Sequence, residues 1–94
     1  SLATKYASGT DPYYVMAQVI RSISCLNQIL FAMNETYFLN EKNAVAIIES
    51  FPIRPDAYSG RIRHIFSTMP IDLPDACRIL TELVRETGKL AQIS

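Results

Sequence analysis

The stretch Leu30-Phe31-Ala32-Met33-Asn34-Glu35-Thr36-Tyr37-Phe38-Leu39-Asn40-Glu41-Lys42 concentrates the side chains with chemical potential. Asn40 reads as the cap of a helix, which leaves the first-turn amides pointing outward. Lys42 falls in that same turn. Free amides, the positive end of the helix dipole and an ammonium together suit a phosphate. The dipole disfavours a lysine there, so its position asks for a reason beyond folding. The competing account is a surface ion pair from Lys42 to Glu49 or Glu41. Glu41 shares a helical face with Ala44 and Ile48, and a carboxylate on that side needs a partner or a cleft. Asn27 and Asn34 lie seven residues apart on one side of the preceding helix, where amides cross-link helices or tie down a loop.

Other chemistry is thin. A lone histidine, His64, reads as a surface residue, and there is no Cys-x-x-Cys pair or glycine-rich phosphate loop. Arg61, Arg63 and His64, with Arg54 nearby, form the one local positive density. It is either a solvated helix face paired with Asp56 and other acids or an anion-facing patch. Tyr14, Gln18, Arg21, Cys25 and Gln28 make a more polar stripe, which either faces water or lines a cleft against a further domain.

These residues need helices to position them. Asp11-Pro12 is a helix start, and nothing breaks the pattern until about Glu35. Met16, Ile20, Ile23, Leu30 and Met33 recur at helical spacing, widened by Val15, Val19, Leu26 and Ile29. Ala44, Ile47, Ile48 and Phe51 mark a second helix that Pro52 ends. Tyr58, Ile62, Ile65 and Phe66 mark a third, ending before Pro70. Ala76, Cys77, Leu80, Leu83, Val84 and Leu90 mark a fourth. No strand alternation or hairpin dipeptide appears. The expectation is all-α: an antiparallel bundle of four main helices at about 12–35, 40–51, 55–67 and 73–91, after a linker over residues 1–10.

Composition bounds the rest. Ninety-four residues make one small domain. Nine basic and nine acidic residues cancel, which argues against a nucleic-acid clamp. No uninterrupted apolar run reaches the ~18 residues that span a bilayer. Two cysteines, Cys25 and Cys77, in helical patterns read as buried thiols of a reduced, cytoplasmic protein. The chain opens Ser1-Leu2 without an initiator methionine, so it reads as a piece of a longer protein.

The run LFAMNETYFLNEKNAVAIIESFPIRP resembles the C-terminal helical domain of bacterial-type nucleotidyltransferases. The uncharacterised members of that group carry LFALN-x-x-Y-x-x-x-EK before a short helix and a proline turn. A more distant likeness is to the helical domain of the streptomycin/spectinomycin adenylyltransferases. The close likeness covers about residues 13–67, and the last helix agrees only in pattern.

The resemblance implies half an enzyme. A preceding α/β domain of the same chain would carry a Gly-Ser motif and paired carboxylates that bind Mg²⁺. Neither motif is present: Ser8-Gly9 is the reversed order and Asp11 stands alone. This chain would then close the cleft over the NTP and hold no cofactor itself. Lys42 matches a lysine that contacts nucleotide phosphates in the adenylyltransferase relatives, with Asn40 beside it. Those relatives place a tyrosine where Phe66 falls, which leaves only stacking. Tyr37 and Asn34 match the signature; Tyr37, Glu41, Gln18 and Arg21 are further candidates for nucleotide or acceptor contacts. Some four-helix partners of minimal nucleotidyltransferases are ribonucleases with an Arg, four to six residues and then a His; that motif is absent here, because Arg54, Arg61 and Arg63 lie ten, three and one residues before His64. The alternative is a stand-alone bundle that docks a partner or forms a homodimer through its first and last helices. Neither reading involves a nucleic acid or a membrane.

Overall fold

The structure, a computed structural model, describes residues 11–38, 40 and 42–93. The expected linker over residues 1–10 and the candidate Glu41 lie outside the described residues. The elements are α1 (Pro12–Met33), α2 (Ala44–Ile48), α3 (Tyr58–Thr68) and α4 (Leu73–Ile93). There is no strand among the described residues, and the chain is the all-α bundle that the periodicities predict.

α1 starts as expected. The Asp11 carboxylate accepts the Tyr13 amide at 3.0 Å, and Pro12 occupies the first turn. It ends two residues early, because Asn34 is turned to other work and Glu35 takes a left-handed φ of 53°. By length and composition α1 is apolar enough to cross a membrane. Here Val15, Val19, Ile23, Leu26, Leu30 and Phe31 bury its inner face.

α2 differs most from expectation. It spans five residues, Ala44–Ile48, and Asn40 does not cap it. The side-chain oxygen of Asn40, Oδ1, accepts the Lys42 amide at 2.9 Å, a side-chain turn that folds the chain before any helix begins. Asn43 then adopts φ 61°, which excludes a helix starting earlier. α3 starts three residues late for the same reason, since Ala57 sits at φ 54°. Its first-turn amide at Ser59 is instead met by the Glu49 carboxylate at 3.2 Å. Met69-Pro70 ends α3, and α4 runs unbroken past Gly88.

α4 packs on both α3 and α1, and α2 bridges α1 and α3. The core holds Val19, Leu30, Ile48, Ile65, Cys77 and Leu83, all fully buried. Tyr58 is buried among them with its hydroxyl donating to Asn27 Oδ1 at 2.7 Å. Burial pushes the Tyr58 phenol well above its ordinary range and raises the Cys77 thiol. Several expected core members are not buried. Ile20, Ile29, Ile47, Phe66 and Val84 are each more than two-fifths exposed, and Cys25 is exposed rather than buried. The apolar arcs are wider than the faces the bundle can cover.

Candidate functional site

Three residues chosen from sequence converge. Tyr37, Asn40 and Lys42 line one shallow hollow of about 150 Å³, with Phe31 and Ile47. The chain leaving α1 carries Tyr37, and the side chain of Asn40 bonds to the backbone of Lys42 on the same hollow. Tyr37 is 81% exposed, so its ring is an open platform. The oxygen of Asn40 is committed to the Lys42 amide, which leaves its NH₂ as a donor. No described carboxylate pairs with the Lys42 ammonium. Glu49, one of its two expected partners, instead lies 3.2 Å from Arg54 Nε.

The physical basis differs from the expected one. A five-residue α2 has no N-terminal amide cradle to offer, and Asn40 is not its cap. What remains is a cation, an amide donor, an exposed phenol and an apolar floor. That set suits an anion attached to a planar or apolar group. A hollow of about 150 Å³ is smaller than the ~300 Å³ at which closed ligand pockets begin, so it does not enclose a ligand by itself.

The other candidates fall elsewhere. Gln18 and Arg21 line a separate groove of about 340 Å³ between α1 and α4, with Cys25, Leu26, Ile29 and Val84. The polar stripe of α1 is therefore a groove wall. Phe66 lies on α3 and lines neither hollow. His64 is exposed on α3, as expected.

The basic residues are mostly spoken for. Arg61 grips Glu86 with two bonds, at 2.8 and 2.6 Å, and donates to the Asp56 carbonyl at 3.2 Å. That bond holds the Glu86 carboxyl below its usual range and raises the Arg61 guanidinium. Arg54 donates to the Glu49 carbonyl at 2.9 Å and the Pro55 carbonyl at 3.3 Å. A third hollow, of about 250 Å³, lies beside these pairs, lined by Arg54, Pro55, Asp56, Glu86, Lys89 and Leu90. The solvated, paired face is thus the reading the geometry favours for Arg54 and Arg61. Sequence reasoning missed Glu86 as the partner of Arg61 because nothing in the chain marks a residue 25 positions away.

Both asparagines do structural work. Asn27 receives the buried Tyr58 hydroxyl. Asn34 Nδ2 donates to the carbonyls of Leu30 (2.7 Å) and Ile53 (2.8 Å), and its Oδ1 accepts the Ile53 amide at 3.0 Å.

Among the described residues no group of three or more His, Cys, Asp or Glu is placed to hold a metal ion. Compared with known proteins, the chain matches no family model, no curated protein and no solved structure.

Proposed function

We propose that the chain is the substrate-side helical domain of a nucleotidyltransferase, and that the Tyr37–Asn40–Lys42 hollow is its contact with the NTP. The observation that carries this reading is the convergence of those three residues on one open wall. The resemblance of the run from Leu30 to Pro55 is the reason to specify a nucleotide. In the complete enzyme an acceptor hydroxyl attacks the α-phosphorus and pyrophosphate departs. Lys42 sits against the β- and γ-phosphates and stabilises the charge that builds on the leaving group. The Asn40 NH₂ donates to a phosphate oxygen, and Tyr37 covers the planar part of the nucleotide. The preceding catalytic domain supplies the carboxylates for Mg²⁺, whose chemistry is to neutralise phosphate charge.

The test is transfer of a labelled nucleoside monophosphate by the full-length gene product. Lys42→Ala should lower kcat/KM for the NTP by about 10- to 100-fold, the loss of one charge-assisted bond. The unfolding midpoint should not move, because the ammonium has no described partner. Unchanged kinetics overturn the assignment.

A second reading has its own observation. Ile29 and Val84 are both 45% exposed across the α1–α4 groove. That face suits a protein partner or a second copy of the chain. Sedimentation of the isolated chain decides between monomer and dimer, and Val84→Asp should abolish any dimer formed through this face.

A further inference from the structure

The chain between Asn34 and Ile53 leaves α1 and returns to it at one side chain. The Asn34 amide meets both backbone groups of Ile53, accepting its N–H at 3.0 Å and donating to its carbonyl at 2.8 Å. The same Nδ2 also reaches the Leu30 carbonyl in the last turn of α1, at 2.7 Å. A residue that only finished α1 would need the Leu30 bond alone. The two bonds to Ile53 do nothing for the helix; they close the base of the intervening segment.

Four of the five residues that line the hollow lie between those two points: Tyr37, Asn40, Lys42 and Ile47. Phe31, the fifth, is the second fastening. Its ring meets Phe38 edge-to-face at 5.0 Å on the outgoing arm and Phe51 at 5.1 Å on the returning arm. Asn34 itself does not line the hollow.

We infer that Asn34 is the positioning residue of this site: its paired bonds to Ile53 fix the base of the 34–53 segment and thereby hold Tyr37 and Lys42 on one wall. Its functional meaning rests on the nucleotide reading above; its geometry does not. Fixing two points of a 20-residue excursion removes most of the freedom that would let Lys42 and Tyr37 drift apart.

The experiment compares Asn34→Ala with Tyr58→Phe in the 94-residue chain. Tyr58→Phe also deletes a hydrogen bond to α1, the one to Asn27, but outside the segment. Amide exchange and backbone NMR shifts are read first without ligand, and then ATP with Mg²⁺ is titrated. In Asn34→Ala the Ile53 amide should exchange at least about tenfold faster, and the Tyr37 and Lys42 signals should move. The ATP dissociation constant should rise about tenfold, the scale of one to two net hydrogen bonds. Tyr58→Phe should lower the unfolding midpoint yet leave all three readouts in place. Asn34→Asp keeps an acceptor for the Ile53 amide but sets a carboxylate oxygen against the Leu30 and Ile53 carbonyls, so it should move the same signals at least as far as Ala. Asn34→Gln, which keeps both groups on a longer stem, should fall between wild type and Ala, and it serves if the alanine variant does not fold. Two results overturn the inference: Ile53, Tyr37 and Lys42 unmoved in the Asn34 variants, or moved equally by Tyr58→Phe. If ATP does not bind the wild-type 94-residue chain, this wall does not hold the nucleotide alone, transfer by the full-length gene product tests the nucleotide reading separately, and the ligand-free comparison still decides the role of Asn34.

Discussion

From Val15 to Leu30, α1 is held by burial: its inward side chains pack against α4 and α2, and the one buried amide, Asn27, is matched to the buried Tyr58 hydroxyl. Beyond Leu30 the chain is held differently. Among its described residues, the segment from Asn34 to Ala57 contains only five helical ones, and side-chain-to-backbone bonds from Asn34, Asn40, Glu49 and Arg54 set its course. Burial is non-directional and distributes over many contacts. Hydrogen bonds to backbone fix particular atoms at particular distances. Side chains on a segment of little regular structure keep fixed positions through the second kind of restraint, and a scaffold holds together through the first. The functional candidates divide along the same line, with Tyr37, Asn40 and Lys42 on the hydrogen-bonded segment and Gln18 and Arg21 on the packed helix.

The largest expected effect tests the scaffold. Leu83 is fully buried on α4. Leu83→Ala should cost about 2–5 kcal/mol, through lost burial and a residual cavity, measured by urea unfolding. Probes on α1 and α4 should report one transition. A cost below about 1 kcal/mol, or separate transitions for the two helices, would break the picture of a single packed body.

A smaller effect lies at the edge of that body, where Arg61 on α3 pairs with Glu86 on α4. Both side chains are partly solvated, so Arg61→Ala should cost no more than about 1 kcal/mol. Its pH signature is more specific. Glu86 is held below its usual range by the bond from Arg61, so the unfolded chain binds that proton more readily than the folded one. The contribution of the pair is therefore complete above the ordinary carboxylate range and is lost as pH falls through the lowered folded value. Acid unfolding of wild type and Glu86→Gln should diverge at neutral pH and converge in acid. Parallel profiles at every pH would mean that the pair contributes nothing measurable.

The contrast between the two regions also explains what the sequence makes legible. α1, α3 and α4 follow from apolar spacing because burial at 3.6-residue intervals is what builds them. The same rule misplaces Ile20, Ile29 and Cys25, since a broad apolar arc does not say which of its flanks a neighbour will cover. The hydrogen-bonded segment is read less well. An asparagine before a short apolar run caps a helix or bends the chain into a turn, and Asn40 does the latter because Asn43 takes the left-handed conformation. Lys42, Asn40 and Tyr37 line one hollow, but Asn40 bends the chain at Lys42 instead of capping a helix there. The loop-tying role of Asn34 is foreseeable from an amide at the end of an apolar helix; its partner Ile53, nineteen positions away, is not.

The smallest effect probes the seam between the regions. Ala57 joins the segment to α3 with φ 54° and ψ 39°, a conformation in which its Cβ crowds the neighbouring carbonyl. Glycine lacks that penalty of about 1–2 kcal/mol but loses more entropy on folding, by about 0.5–1 kcal/mol. Ala57→Gly should therefore raise stability by about 0.5 kcal/mol, read as a higher urea midpoint with an unchanged slope. The opposite sign would mean that the Ser59–Glu49 bond, and not the backbone angle, sets the start of α3. In that case Glu49→Ala, which removes the acceptor of the Ser59 amide, should speed exchange of that amide, whereas a strain at Ala57 alone would leave it protected.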